Sequence, residues 1–196
     1  SAAITNQQKW HEFDVTSAIN NRINNHVPQV AYTFMGRYKS FAIATFHSKE
    51  GVNKPVLEVM ANGVKKTFVV TADTYIRAGA YGNQSFGSQD KLYVRETGMP
   101  MDDDTCKLYL QFDFPSLSST VTSAKIKLYG STDSPLPMEL LMFKSEQPLV
   151  TEATKTWMNS GVMFLSWQGR GRVGMDEWGI PAGTGADFMS GYYRFW

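Results

Sequence analysis

One cysteine, Cys106, occurs in 196 residues. No internal disulfide can form, so a cystine framework is excluded. Cys106 begins an alternating strand pattern with no neighbouring base, and reads as a small strand residue rather than a nucleophile. Charge is also scarce: Asp, Glu, Lys and Arg make up 19% of the chain, and the net charge is +1. Without a basic run there is no electrostatic case for nucleic acid or an anionic membrane surface. No apolar segment approaches the roughly 20 residues of a membrane helix, so no membrane insertion is expected. His11, His26 and His47 show no zinc spacing, and phosphate-loop and dinucleotide glycine patterns are missing. Carboxylate pairs such as Asp176-Glu177 exist, but nothing sets two of them across a glycosidic bond. No enzyme is expected.

Alternation is what the chain has in quantity. In Cys106–Phe114, Leu108, Leu110, Phe112 and Phe114 fall on one face, and Lys107, Tyr109, Gln111 and Asp113 on the other. Ser123–Tyr129 repeats the pattern, with Ala124, Ile126 and Leu128 inward and Lys125, Lys127 and Tyr129 outward. Only an extended chain has this two-residue period, and one-sided strands in succession indicate an antiparallel sheet with one face on a core. Further strands are expected at Trp10–Val15, Gln29–Met35, Phe41–His47, Val56–Met60, Met138–Lys144 and Tyr192–Trp196. Thr16 is expected to cap a short helix over Ser17–Asn25, with Val15, Ile19, Ile23 and Val27 as its apolar stripe. About ten to twelve strands and one helix predict an all-β fold, an antiparallel β-sandwich of jelly-roll type. The polar stretch 61–66, with its Asn-Gly turn signal, is the expected linker between a first part, 1–60, and a second, 67–196, of a single sandwich.

The stretches TADTYIRAGAYGNQSFGS from Thr71, KLYLQFDF from Lys107 and VTSAKIKLYG from Val121 resemble the opening half of the DNRLRE family. That family comprises secreted β-sandwich domains also described among carbohydrate-binding modules and in archaeal disaggregatase-related surface proteins. TEATKTWMN from Thr151 is similar to a later family stretch, and WHEFDVTSAIN with FAIATFHSKEGVNKPVLEV resembles the closing half. Here the closing half, Trp10–Val59, precedes the opening half, Val64–Trp157. Three arrangements account for that order: a fragment of a tandem array, a circular permutation, or halves of neighbouring subunits completing one another.

The resemblance implies an extracellular or cell-surface location, as does the low charge with many Gly, Ser, Thr, Asn and aromatic residues. Similar sandwiches hold structural Ca²⁺ near their first strand, which makes Asp73, Asn83 and Glu50 the candidate ligands here. The run Asp102-Asp103-Asp104 lacks a known calcium spacing and reads as a solvated loop. Tyr81, Phe86, Trp157, Trp178, Tyr193, Trp196 and Trp10 are the candidate ligand-binding or interface residues, since flat aromatic faces stack on sugar rings or pack against a partner. Two functions of different class are weighed, and the expected one is the first, with the second as its alternative. The first is a structural subunit that self-associates head to tail through its terminal strands into a layer, sheath or fibre. The second is a carbohydrate-binding module that anchors a secreted protein to polysaccharide.

Overall fold

The structure is a computed structural model, describing residues 1–37, 41–97, 102–114, 117, 120–145 and 152–160. Its strands are β1 (Ala2–Ile4), β2 (Lys9–Asp14), β3 (Gln29–Gly36), β4 (Ala44–His47), β5 (Val56–Ala61), β6 (Val64–Val69), β7 (Ala72–Arg77), β8 (Lys91–Val94), β9 (Cys106–Asp113), β10 (Val121–Thr132) and β11 (Met138–Ser145). The helix α1 (Thr16–Asn24) joins β2 to β3. These strands form two antiparallel sheets, and the chain crosses between sheets at most of its connections, as in a jelly roll. Sheet A runs β1-β11-β3-β9-β7. Sheet B is built around β10. Lys125–Lys127 pair with β2 on one edge and β5 on the other, and Gly130 pairs with Lys9 and Phe46. β5 and β4 therefore follow one another along the same edge of β10, with β6 beyond β5 and β8 beyond β4. A Cβ on Gly130 would lie 2.1 Å from the Thr45 carbonyl, so only glycine fits where three strands meet.

The period-two patterns fill the space between the sheets. Leu108, Leu110, Phe112 and Phe114 meet Ala124, Ile126 and Leu128 there, with Phe34, Phe46 and Leu57 from the first third of the chain. The two motif halves interleave: β3 lies between β9 and β11, while β10 has β2 on one side and β4 and β5 on the other. Residues 61–66, expected to link the halves, are the end of β5, a two-residue turn and the start of β6. Asn62 and Gly63 both have positive φ (51° and 73°), the backbone that a tight hairpin of this kind requires.

Two local expectations are corrected. Thr16 begins α1 but does not cap it: its N–H donates to Asp14 Oδ1 (2.9 Å), and its hydroxyl accepts from the Ala124 N–H (2.9 Å). A sheet backbone within reach outcompetes the helix end for that oxygen. The outward face of β9 is not open either. Lys107 and Tyr109 are buried, because residues 152–160 lay Trp157 against Tyr109, Ile76 and Ala78. One-sided alternation identifies the face that meets the core; it carries no information about what covers the other face.

Candidate functional site

The outer face of sheet B has no such cover among the described residues. Outward side chains of β10 (Lys125, Lys127, Tyr129, Ser131) alternate with the buried Ala124, Ile126 and Leu128. Register then assembles a row across four strands. Trp10 on β2 faces Tyr129 on β10, Tyr129 stands beside His47 on β4, and His47 pairs with Lys91 on β8. The Trp10 and Tyr129 rings meet edge-on at 5.3 Å, as do those of Tyr129 and His47. Trp10 is 39% exposed, large for a tryptophan held in a sheet.

Charge flanks this row on one side. Glu12 pairs with Lys125 (2.7 Å) and Lys127 (3.5 Å), and Glu58 with Lys127 (3.5 Å) and Lys65 (2.9 Å). The Lys127 ammonium lies 5.8 Å from the Trp10 ring centre. Hydrogen bonding to Lys125 first, then the lysine charges, lowers the Glu12 pKa; Lys65 does the same for Glu58. On the other side, the His47 ring lies 3.1 Å from the Lys91 ammonium, and burial first, then that charge, lowers its pKa. The neutral ring leaves the row without a cation of its own at His47. Flat rings bordered by donors and acceptors of both signs suit a ligand with apolar faces and hydroxylated edges.

The remaining sequence candidates fall elsewhere. Trp157 is fully buried on the outer face of sheet A, with Lys107 5.1 Å from its ring centre. Tyr81 is half-buried beneath the Arg77 guanidinium, 3.7 Å away. Phe86 stacks on Tyr75 at 4.5 Å, where it supports the core. Trp178, Tyr193 and Trp196, like the expected strand at Tyr192–Trp196, lie outside the described residues. Tyr129, His47 and Lys127 were not among the sequence candidates. Alternation marked Lys127 and Tyr129 as outward, but only strand register brings them beside Trp10.

The suggested calcium ligands gather in part. Lys49 donates its N–H to Asp73 Oδ2 (2.7 Å), and its ammonium pairs with Glu152 and reaches Glu50 Oε1 (3.8 Å). Glu152 Oε1 accepts from the Asp73 N–H (2.7 Å), while Asn83 is exposed. Asp73 Oδ1 is buried with no hydrogen-bond partner. Burial, then the charges of Glu50 and Glu152, push the Asp73 pKa to about 7, so the carboxyl is neutral at acidic pH and its buried oxygen then carries no charge. Burial disfavours the Lys49 ammonium, but Glu152, Glu50 and Asp73 together raise its pKa. The place a divalent ion would take holds an ammonium, and among the described residues no three His, Cys, Asp or Glu side chains are arranged for a metal. The cluster does not fit Ca²⁺ as it stands. The second acidic run is also engaged. Asp103 Oδ1 accepts from the Ala80 N–H (2.6 Å), and Asp104 pairs with Arg77 (3.1 Å) and Arg95 (2.8 Å). Cys106 is buried and its thiol is pushed up to about 12, first by burial, so it is held protonated.

The sequence model of carbohydrate-binding module family 96 matches residues 64–163. No curated protein and no solved structure matches the chain. The matched span holds β6 to β11 and Trp157, whereas Trp10, His47 and β1 to β5 precede it. Among the described residues no helix is long and apolar enough to cross a membrane, which says nothing of strands.

Proposed function

The chain belongs to carbohydrate-binding module family 96, and from that premise we propose that it is a non-catalytic, extracellular module holding polysaccharide on the outer face of sheet B. The observation that carries the reading is the exposed row of Trp10, Tyr129 and His47, set across three strands of a rigid sheet. Trp10 offers an apolar ring face to a sugar; Lys127, Lys125, Glu12 and Glu58 supply polar groups along the chain of residues next to it. No protein movement is needed, because the row is fixed by backbone pairing before a ligand arrives. Anchoring is then the whole of the activity: the module raises the local concentration of whatever polypeptide it belongs to on the polysaccharide.

The finer resemblance to DNRLRE-type domains with permuted halves extends this reading. In its favour, the family match begins at Val64, inside the Asn62-Gly63 hairpin's second strand, while residues 1–63 supply strands interleaved with the matched ones. Self-assembly through terminal strands has no observation in its favour, and β1 and β2 both pair within the chain.

The test is affinity electrophoresis in gels containing xylan, glucomannan or pectate, with Trp10→Ala and Tyr129→Ala beside the unaltered chain. Retention by at least one polysaccharide, lost in both variants while they remain folded, is the expected result. Retention that survives both substitutions sinks the proposed face; no retention by any polysaccharide in a wide panel sinks the function.

A further inference from the structure

Among the described residues, three other than glycine have positive φ: His26 (57°), Phe41 (53°) and Asn62 (51°). Two of them are accounted for locally. His26 follows α1, where its N–H donates to the Ile23 carbonyl (3.0 Å) and the Val27 N–H to that of Arg22 (2.9 Å), a common helix ending. Asn62 is the first residue of the β5–β6 turn, and asparagine tolerates this backbone. Phe41 has neither reason. It lies on the connection from β3 to β4, where a bulky aromatic with this φ is strained and a glycine would not be. Burial does not offset the strain, since the residue is 57% exposed.

Backbone pairing sets the side on which the ring lies. Ala42, Ala44 and Phe46 are buried, whereas Phe41, Ile43, Thr45 and His47 between them are not. Phe41 is therefore on the same face as His47, six residues and up to roughly 20 Å along the strand from the aromatic row. The path between them is held firmly. Thr45 faces Ser131 on β10; the Ile43 N–H donates to Asp133 Oδ1 (2.8 Å), and its carbonyl accepts from the Asp133 N–H (3.1 Å). The Phe41 N–H donates to the Glu96 carbonyl (3.4 Å). The Ser131 hydroxyl donates to Gln8 Oε1 (3.0 Å) and keeps its lone pairs for a further donor.

We propose that the binding face of sheet B extends along β4 to Phe41, which stacks on a sugar ring several units away from the one on Trp10. The ligand is then an extended chain of many residues bound along its length, not a single sugar or a disaccharide. Strained backbone at an exposed aromatic marks a functional position, because folding alone favours a smaller residue there. The hydroxyls of Thr45 and Ser131 lie between the two ends and meet the hydroxylated edges of the intervening sugars. This inference rests on the polysaccharide-binding reading and on the continuity of Phe41 with the row of Trp10, Tyr129 and His47.

The experiment runs Phe41→Gly, Phe41→Leu and Phe41→Trp in gels containing xylan, glucomannan or pectate, with thermal melts of each variant. Phe41→Gly relieves strain and removes little buried surface, so it is expected to melt no lower than the unaltered chain. Its affinity for the retained polysaccharide is expected to fall about tenfold, within the range for one base stacked on an aromatic ring. Phe41→Leu keeps an apolar side chain without a ring and is expected to lose affinity too, whereas Phe41→Trp keeps it. Calorimetric titration with xylo-, manno- and galacturono-oligosaccharides adds the dependence on chain length: the loss in Phe41→Gly grows as the oligosaccharide lengthens. Full affinity in Phe41→Gly or Phe41→Leu, a loss independent of length, or a lower melting temperature in Phe41→Gly each overturn the proposal. Affinity lost in Trp10→Ala but kept in Phe41→Gly overturns the extension alone. Affinity lost in Phe41→Gly but kept in Trp10→Ala and Tyr129→Ala overturns the row, and no retention of the unaltered chain by any polysaccharide overturns both.

Discussion

On the outer face of sheet A the Lys107 ammonium lies 5.1 Å from the Trp157 ring centre; on the outer face of sheet B that of Lys127 lies 5.8 Å from Trp10. The two pairs have the same chemistry, and both lysines occupy outward positions of strands whose other residues fill the core. Yet Lys107 and Trp157 are buried, while Trp10 is 39% exposed. The difference lies in residues 152–160. Glu152 fastens this segment to the Asp73 N–H and the Lys49 ammonium, and the Met158 N–H donates to the Gly82 carbonyl (3.0 Å). A covered tryptophan contributes stability, whereas an open one is available to a ligand. The residue types alone do not distinguish the two.

The largest effect is expected from removing what both faces share. A chain starting at Val64 keeps the family-matched residues but loses β3 beside β9, and β2, β4 and β5 beside β10. It also loses Phe34, Phe46 and Leu57 from the core. It is expected to show no cooperative thermal transition by near-ultraviolet circular dichroism; a sharp transition would mean that the matched span folds alone. Adding a separate 1–62 peptide and recovering the transition would support two complementary halves.

Next in size is Trp157→Ala, which empties a buried tryptophan site and is expected to cost about 3–5 kcal/mol in denaturant unfolding. Polysaccharide affinity of the folded fraction stays unchanged if the two faces have separate roles. A parallel loss of affinity, with stability intact, would collapse the comparison.

Protonation sharpens the contrast further. The Asp73 pKa is raised from 3.8 to about 7 on folding, so the folded state holds this proton more tightly than the unfolded chain. Its contribution to stability is whole below about pH 3.8 and is lost as pH rises towards 7. Relative to Asp73→Asn, the unaltered protein is therefore expected to lose up to about 4 kcal/mol between pH 4 and pH 8. Unfolding curves at four pH values across that range measure it, and a constant difference would refute it. Glu12 and Glu58 on sheet B have lowered pKa values, and their contributions act in the opposite direction, fading as pH falls through the folded values.

The smallest effect on folding is expected from Trp10→Ala. Stability should move by about 0.5 kcal/mol or less, as for an exposed site, while stacking worth about 1–3 kcal/mol disappears from binding, by analogy with bases stacked on aromatic side chains. Calorimetric titration with the polysaccharide retained in gels, beside thermal melts, gives both numbers. A large drop in melting temperature with unchanged binding would place Trp10 with Trp157 as a structural residue.

Much of the fold was legible in the sequence because the two-residue period is a local property of an extended chain. Cys106–Phe114 and Ser123–Tyr129 show which side chains meet the core, and both patterns hold for Leu108, Leu110, Phe112, Ala124, Ile126 and Leu128. Asn62-Gly63 was legible as a turn, because its φ requirement belongs to two residues. The site was legible only in pieces. Trp10 was singled out as an aromatic, and Tyr129 as outward, but their contact depends on β2 and β10 pairing across 119 positions of sequence. Thr16 and Trp157 mark the other limit, since each met a distant partner that no local pattern announces.

Alternating hydrophobicity, one cysteine and low charge thus determined an all-β sandwich without disulfides, since burial of one strand face follows from spacing alone. Tertiary structure decided which outward residues stay outward. Register carried Trp10, Tyr129 and His47 into one row, and the docking of residues 152–160 closed the opposite face over Lys107. The physical reason is range. A strand's period is set by each residue's neighbours two positions away, whereas exposure is set by segments that arrive from elsewhere in the chain and compete for the same surface.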